Sequence, residues 1–213
     1  MPGGKRGSAI ASEAGGKIFV IGGAVPEEGD TAVFGSRVAH SVGTNEAYDP
    51  ATNTWETRRP MPTPRNHASA GTVNGKIYVI GGRLGHAFIS VATNTNIVEE
   101  YDPATDKWGA TKAPMPTPRS GGGWGVYKGK IYVGGGEFQT PQMAGTFRAL
   151  EAYDPAINQW SILPQMPLPR HGVAGAVIGN RLYLASGRIQ SGGIGGPDTQ
   201  TSTAEVDAFE FTD

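Results

Sequence analysis

The residues that could do chemistry are few, and they are regularly placed. Arg6, Arg65, Arg119 and Arg170 each lie 11 residues before the basic residue that opens an apolar run, at Lys17, Lys76, Lys130 and Arg181. Glu46, Glu99, Glu151 and Asp207 each lie two residues before an aromatic. Two residues apart on a strand, acid and aromatic share a face. Four arginines and four acids fit a repeated ion pair from one unit to the next, a role that suits guanidinium in partly buried settings. They also fit a second reading, in which the arginines ring a mouth and grip an anionic group. Arg83 and Arg188 directly follow glycines and stand outside the repeated pattern, so they are the stronger ligand candidates. Glu137 directly follows Gly136 and reads as an unpaired acid at a loop base, the best general acid or base candidate on that face. The histidines, His40, His67, His86 and His171, show no metal-ligand spacing. His67 and His171 sit beside repeat arginines and could line the same mouth. The candidate ligand-binding set is therefore Arg83, Arg188, Glu137, Arg65, Arg119, Arg170, His67 and His171. No catalytic residue, metal ligand or cofactor is assigned.

Composition removes several classes. With no cysteine among 213 residues, disulfides, thiolate metal sites and cysteine nucleophiles are excluded. The net charge of −1 gives no electrostatic reason to expect nucleic acid or an acidic membrane surface. The longest apolar runs have four or five residues, against about 20 for a spanning helix. No signal-peptide apolar region follows Lys5 and Arg6, and the compartment is left open. Thirty-three glycines and 16 prolines approach the composition of disordered chains, so order must come from pattern. Six leucines against 27 valines and isoleucines favour strands, because β-branched side chains pack well on a pleated surface.

The pattern is a repeat. Lys17-Ile18-Phe19-Val20-Ile21-Gly22-Gly23 returns as Lys76-Ile77-Tyr78-Val79-Ile80-Gly81-Gly82 and as Lys130-Ile131-Tyr132-Val133-Gly134-Gly135-Gly136. It returns again as Arg181-Leu182-Tyr183-Leu184-Ala185-Ser186-Gly187. Tyr-Asp-Pro follows at Tyr48, Tyr101 and Tyr153, with a tryptophan seven residues later at Trp55, Trp108 and Trp160. Met-Pro-x-Pro-Arg then closes each unit, ending at Arg65, Arg119 and Arg170. Asn74-Gly75 predicts a two-residue hairpin turn, and Lys128-Gly129 and Gly179-Asn180 hold the same place. Asp-Pro predicts a tight turn after the third strand. The proline-rich segment must leave the sheet, since proline cannot sustain a ladder.

A double glycine, Tyr-Asp-Pro and tryptophan at a period near 50 resembles the kelch repeat. The resemblance implies an all-β fold, a kelch-type β-propeller of about four four-stranded antiparallel blades. The last blade is incomplete. The expected blades run over about 6–64, 65–118, 119–169 and 170–213, one propeller domain or fragment over 1–213. Such propellers usually close with six or seven blades, or about 300 residues and more. Three explanations stay open: a part of a larger ring, a homo-oligomer in which a second copy completes the ring, or a tight four-bladed ring.

The topology puts the loops between second and third strands, about 24–43, 83–95, 137–146 and 188–202, on the face of the inter-blade crossings. Long loops on a rigid scaffold are where binding usually lives. Trp124 stands where Ala70 and Gly175 stand in other repeats, amid Gly121-Gly122-Gly123, and either plugs the axial channel or fills a gap left by the glycines. In kelch substrate adaptors of ubiquitin ligases, an arginine of this register can bind an acidic peptide. The expected function is thus a binding module for a protein, acidic peptide or glycan. The runner-up is a carbohydrate-acting enzyme resembling a sialic acid mutarotase. Absent cysteine argues against galactose-oxidase chemistry, and the Glu-x-x-x-Asp-x-x-x-His spacing of plant specifier proteins does not occur.

Overall fold

A computed structural model of the protein describes residues 1–26, 39–86, 93–140, 142–191 and 201–211. Among them there are strands and no helix, hence none long and apolar enough to cross a membrane. Four larger antiparallel sheets follow one another along the chain, and the loops of the first three carry two-stranded ribbons, Ala24–Pro26 with Ala39–Ser41, Arg83–Leu84 with Thr93–Asn94 and Glu137–Gln139 with Ala144–Thr146. Blade 1 is Ile10–Ala14, Lys17–Ile21, Asn45–Asp49 and Thr54–Arg58, in that order across the sheet. Blade 2 is Ser69–Val73, Lys76–Ile80, Val98–Asp102 and a short Lys107–Trp108. Blade 3 is Gly123–Tyr127, Lys130–Gly134, Leu150–Asp154 and Gln159–Ile162. Blade 4 has three strands among the described residues, Ala174–Ile178, Arg181–Ala185 and Val206–Glu210.

Local chemistry sets each blade. Asn74 and Gly75, like Lys128 and Gly129, carry the positive φ of a tight hairpin turn. Asp49, Asp102 and Asp154 accept hydrogen bonds from the backbone N–H two residues on, at 2.9, 2.9 and 3.0 Å, which fixes the second turn. The tyrosine hydroxyls at 48, 101 and 153 then donate to Asn53, Asp106 and Asn158, residues that hold positive φ in that turn. Each tyrosine also packs on its cross-strand tryptophan, with ring centroids 5.0–5.2 Å apart. Tyr101 and Tyr153 are fully buried, whereas Trp108 and Trp160 are half-buried and donate to carbonyls of the preceding blade.

Blades pack face to face. The interface between blades 1 and 2 buries Ile10, Phe19 and Ile21 with Ala70, Ile77, Val79 and Tyr101. Val73, Tyr78 and Ile80 do the same with Ile131, Val133 and Tyr153 between blades 2 and 3. Trp124 is half-buried and packs against both clusters, which fits the gap-filling reading. The innermost strands touch in the order one to two, two to three, three to four. The first glycine of each pair has a physical cause. A Cβ on Gly22, Gly81 or Gly135 would lie 2.5–2.7 Å from the carbonyl oxygen of Arg65, Arg119 or Arg170 on the next connector. The second glycine donates its N–H to that same carbonyl, at 2.8, 2.9 and 2.7 Å.

Candidate functional site

The connector arginines are scaffold in this structure. Arg65, Arg119 and Arg170 are among the most deeply buried large side chains. Arg65 donates to Glu99 at 2.7 Å and to the carbonyls of Gly81, Ile97 and Val79. Arg119 pairs with Glu151 and with the Val133 carbonyl, Arg170 with Asp207 and the Leu184 carbonyl, and Arg6 with Glu46. Arg65 and Arg119 are pulled below their usual range, chiefly by burial, with the paired carboxylate opposing. The expected pairs are present, but they do not run between blades. Each side chain folds back into the blade that it introduces, while its own carbonyl caps the previous blade. The junction is therefore made by backbone, and the guanidinium is consumed inside the blade. These arginines lie beneath the mouth, not around it.

The mouth itself is built where each connector meets the loop after the double glycine. Isolated bridges join Gly7 with Ala24, Asn66 with Arg83, Ser120 with Glu137, and His171 with Arg188. One residue per blade thus follows the glycines, and these differ: Ala24, Arg83, Glu137 and Arg188. Just inside runs a belt of backbone hydrogen bonds. His67 N–H donates to Ser8 C=O at 3.0 Å, Gly121 N–H to His67 C=O at 2.8 Å, and Gly172 N–H to Gly121 C=O at 2.7 Å.

Glu137 is the centre of this ring, and it is not unpaired. Its carboxylate accepts from Arg83, from His171 Nδ1 at 3.2 Å and from Ser191 at 2.8 Å. Gln139 adds a longer bond at 3.4 Å. Burial alone would raise its pKa, yet the His171 hydrogen bond and the Arg83 charge outweigh that and bring it down to about 2. A carboxylate so held is a poor proton donor. Arg83 likewise departs from the expectation that nothing structural demands it. It is buried, it donates to Ser120 at 3.0 Å as well as to Glu137, and burial lowers its pKa despite the carboxylate. The pair spans blades 2 and 3, so the inter-blade ion pair expected of the connector arginines exists here instead.

His67 holds a positive φ of 51° and lies between Ser8 and Asn66. Asn66 Oδ1 can only accept, so Nδ1 carries the proton, and Nε2 accepts from Ser8 at 2.9 Å. Burial first, then the Arg83 charge, lowers His67 to about 4, with Glu137 opposing. It is neutral at physiological pH. Arg188 differs from all of these. Its backbone pairs with His171, its side chain is exposed, and among the described residues it has no carboxylate partner. Beside it, Ala144, Gly145, Thr146, Ile189, Gln190 and Ser191 line an open groove of about 280 Å³ between the loops of blades 3 and 4. Sequence reasoning missed Ser191, Gln139 and Ser120, which repeat nowhere and carry no motif. Loop stretches 27–38, 87–92 and 192–200 lie outside the described residues.

A family model described as the KLHDC2/KLHL20/DRC7 Kelch-repeats domain matches residues 1–187. Kelch-like protein terF of Aspergillus terreus is 32% identical over 185 residues, covering 84% of this chain and 38% of that protein. Kelch-like protein 36 of Mus musculus is 35% identical over 130 residues, covering 61% and 21%. Beta-scruin of Limulus polyphemus is 32% identical over 173 residues, covering 80% and 18%. Among solved structures, "Structure of YjhT" superposes with a TM-score of 0.70 at 18% identity, over 88% of this chain and 60% of that one. That likeness is one of fold. The chain spans well under half the length of these curated relatives.

Proposed function

Because the chain belongs to the kelch-repeat family of β-propellers, we propose that it is a binding module whose loop face takes an acidic segment of a partner protein. One observation carries this reading. The charged centre of the mouth is satisfied from within, while Arg188 stands exposed beside an open groove. A shallow rim suits a peptide better than it suits a small substrate, which needs enclosure. Arginine's planar fork holds a carboxylate through two hydrogen bonds, so an Asp- or Glu-bearing segment fits Arg188 first. Ile189, exposed next to it, offers an apolar contact for a neighbouring side chain.

Nothing in the site favours carbohydrate chemistry at Glu137. The carboxylate is buried, saturated by donors and kept ionised, the reverse of what a general acid requires. The test is fluorescence anisotropy with a panel of short peptides, matched in length and apolar content, that carry either Glu or Gln. The Glu peptides are expected to bind, and Arg188→Ala should weaken them by about tenfold or more, the loss of one charge-assisted pair. Equal binding of Gln peptides, or no change in Arg188→Ala, would sink the reading.

A further inference from the structure

The mouth holds a second arrangement, independent of the Arg188 groove. One residue of each blade lies on the belt of backbone hydrogen bonds, and its φ is positive in all four: Ser8 at 53°, His67 at 51°, Gly121 at 67° and Gly172 at 62°. Glycine takes that conformation freely, as it does in blades 3 and 4. Blades 1 and 2 instead place a serine and a histidine there, where an L side chain is strained. The two strained side chains bond each other, with Ser8 Oγ 2.9 Å from His67 Nε2.

That bond has a direction. Asn66 is fully buried, and its Nδ2 donates to Ser41 Oγ at 2.7 Å. The donation turns Oδ1 toward His67, where it accepts from Nδ1. Nε2 is left as an acceptor, and the Ser8 hydroxyl donates to it. A hydroxyl, an imidazole placed to take its proton and a third group that orients the imidazole are the parts of an activated nucleophile. Blades 1 and 2 each have four strands, and these side chains sit at their junction. Ser8 and His67 are half-buried, so a molecule entering the mouth can reach them. The N–H of Ala9 bonds no carbonyl among the described residues. In hydrolases that place a serine on a strained turn, the N–H after the serine takes the developing oxyanion.

We propose that Ser8 is an acyl acceptor: its Oγ attacks the carbonyl carbon of an activated ester or thioester while His67 Nε2 takes its proton. The bond from Oγ to the acyl carbon forms as the bond from that carbon to the leaving oxygen or sulfur breaks. His67 then returns the proton to the departing alkoxide or thiolate. Donor and serine thus become acyl-serine and free alcohol or thiol, with no further reactant. Asn66 orients the ring but, being an amide, does not stabilise an imidazolium as a carboxylate would. Arg83 beside the ring also disfavours its charged form, as does His171, and Glu137 opposes them. His67 is therefore a weak base, which restricts the donors to reactive acyl groups.

The test treats the full chain with p-nitrophenyl acetate and locates the acetylated serines by mass spectrometry of peptides. Ser8 should acetylate faster than Ser161, which is exposed on an outer strand. Ser8→Ala should remove that label and leave the others. His67→Gln keeps an acceptor for the Ser8 hydroxyl but supplies no base. It should slow Ser8 labelling by about a hundredfold, the lower end of what a positioned base provides, with circular dichroism unchanged. A purely structural link between the blades would tolerate that change. The rate at Ser8 should be level near neutrality and fall as pH drops through about 4, where His67 takes up a proton. Ser8 labelling no faster than that of Ser161, an equal rate in the His67→Gln protein, or a rate that already falls through pH 6.5 would each overturn the proposal.

Discussion

Two sets of charged residues in this protein look alike in sequence and behave differently in the fold. The connector set, Arg65, Arg119 and Arg170, is the same in every blade. Each member is buried and bonds the carbonyls and the third-strand acid of its own blade. The mouth set, Ala24, Arg83, Glu137 and Arg188, changes from blade to blade. Its members range from buried and ion-paired to exposed with no carboxylate partner among the described residues. A repeated position answers a repeated structural need: the carbonyls at the end of every second strand require a donor. A varying position answers to the neighbours it happens to have. Arg83 is fixed by Glu137 one blade on, whereas the described neighbours of Arg188 offer no acid. Standing outside the repeat therefore does not make a residue a site. Its exposure decides.

The largest effect that would break this contrast lies in the connector set. Arg119→Ala should destabilise by about 3–5 kcal/mol, because it leaves Glu151 buried without its partner. Replacing Glu151 by methionine in the same chain should recover much of that. Urea melts measure both. A loss under about 1 kcal/mol would show that the connector arginines are not the scaffold.

The next effect separates the two arginines of the mouth. Arg83→Ala should cost about 2–3 kcal/mol, less than Arg119→Ala, because Glu137 keeps its bonds to His171 and Ser191. Arg188→Ala should fall within about 0.5 kcal/mol, as exposed substitutions usually do. Thermal melts of the two variants side by side would merge the two classes if the losses were equal.

A pH dependence sharpens the same contrast. His67 titrates at about 4 in the fold and at its ordinary 6.5 when unfolded. Between these values the unfolded chain holds the extra proton, so stability falls as pH drops from 6.5 to 4 and levels off below. The contribution is at most about 3.4 kcal/mol, at about 1.36 kcal/mol for each pH unit between the two values. Glu137 acts lower, with stability lost as pH falls through 4.5 toward 2. His67→Gln should flatten the step between pH 6.5 and 4 while keeping the lower one. A step unchanged in that variant would place the titrating group elsewhere.

Much of the fold could be read from residue order alone. Apolar runs, hairpin turns and Asp-Pro turns act over a few residues, where sterics and hydrogen bonding are local, and their recurrence near 50 residues marked four blades. The glycine pairs and the pairing of arginine with acid were legible for the same reason, since repetition exposes what every blade needs. Which way each arginine turned was not. Arg65 could reach across a junction or back into its own blade, and only the three-dimensional arrangement put the Val79, Gly81 and Ile97 carbonyls around it. Glu137 appeared unpaired because its partners, Arg83, His171 and Ser191, lie 34 to 54 residues away on other blades and loops. Its charge state follows from that enclosure. Sequence by itself determined the kind of blade and its register, because those depend on near neighbours. Burial of a charge depends on what packs over it, so tertiary structure alone decided that Arg83 is sealed in an ion pair and Arg188 faces water.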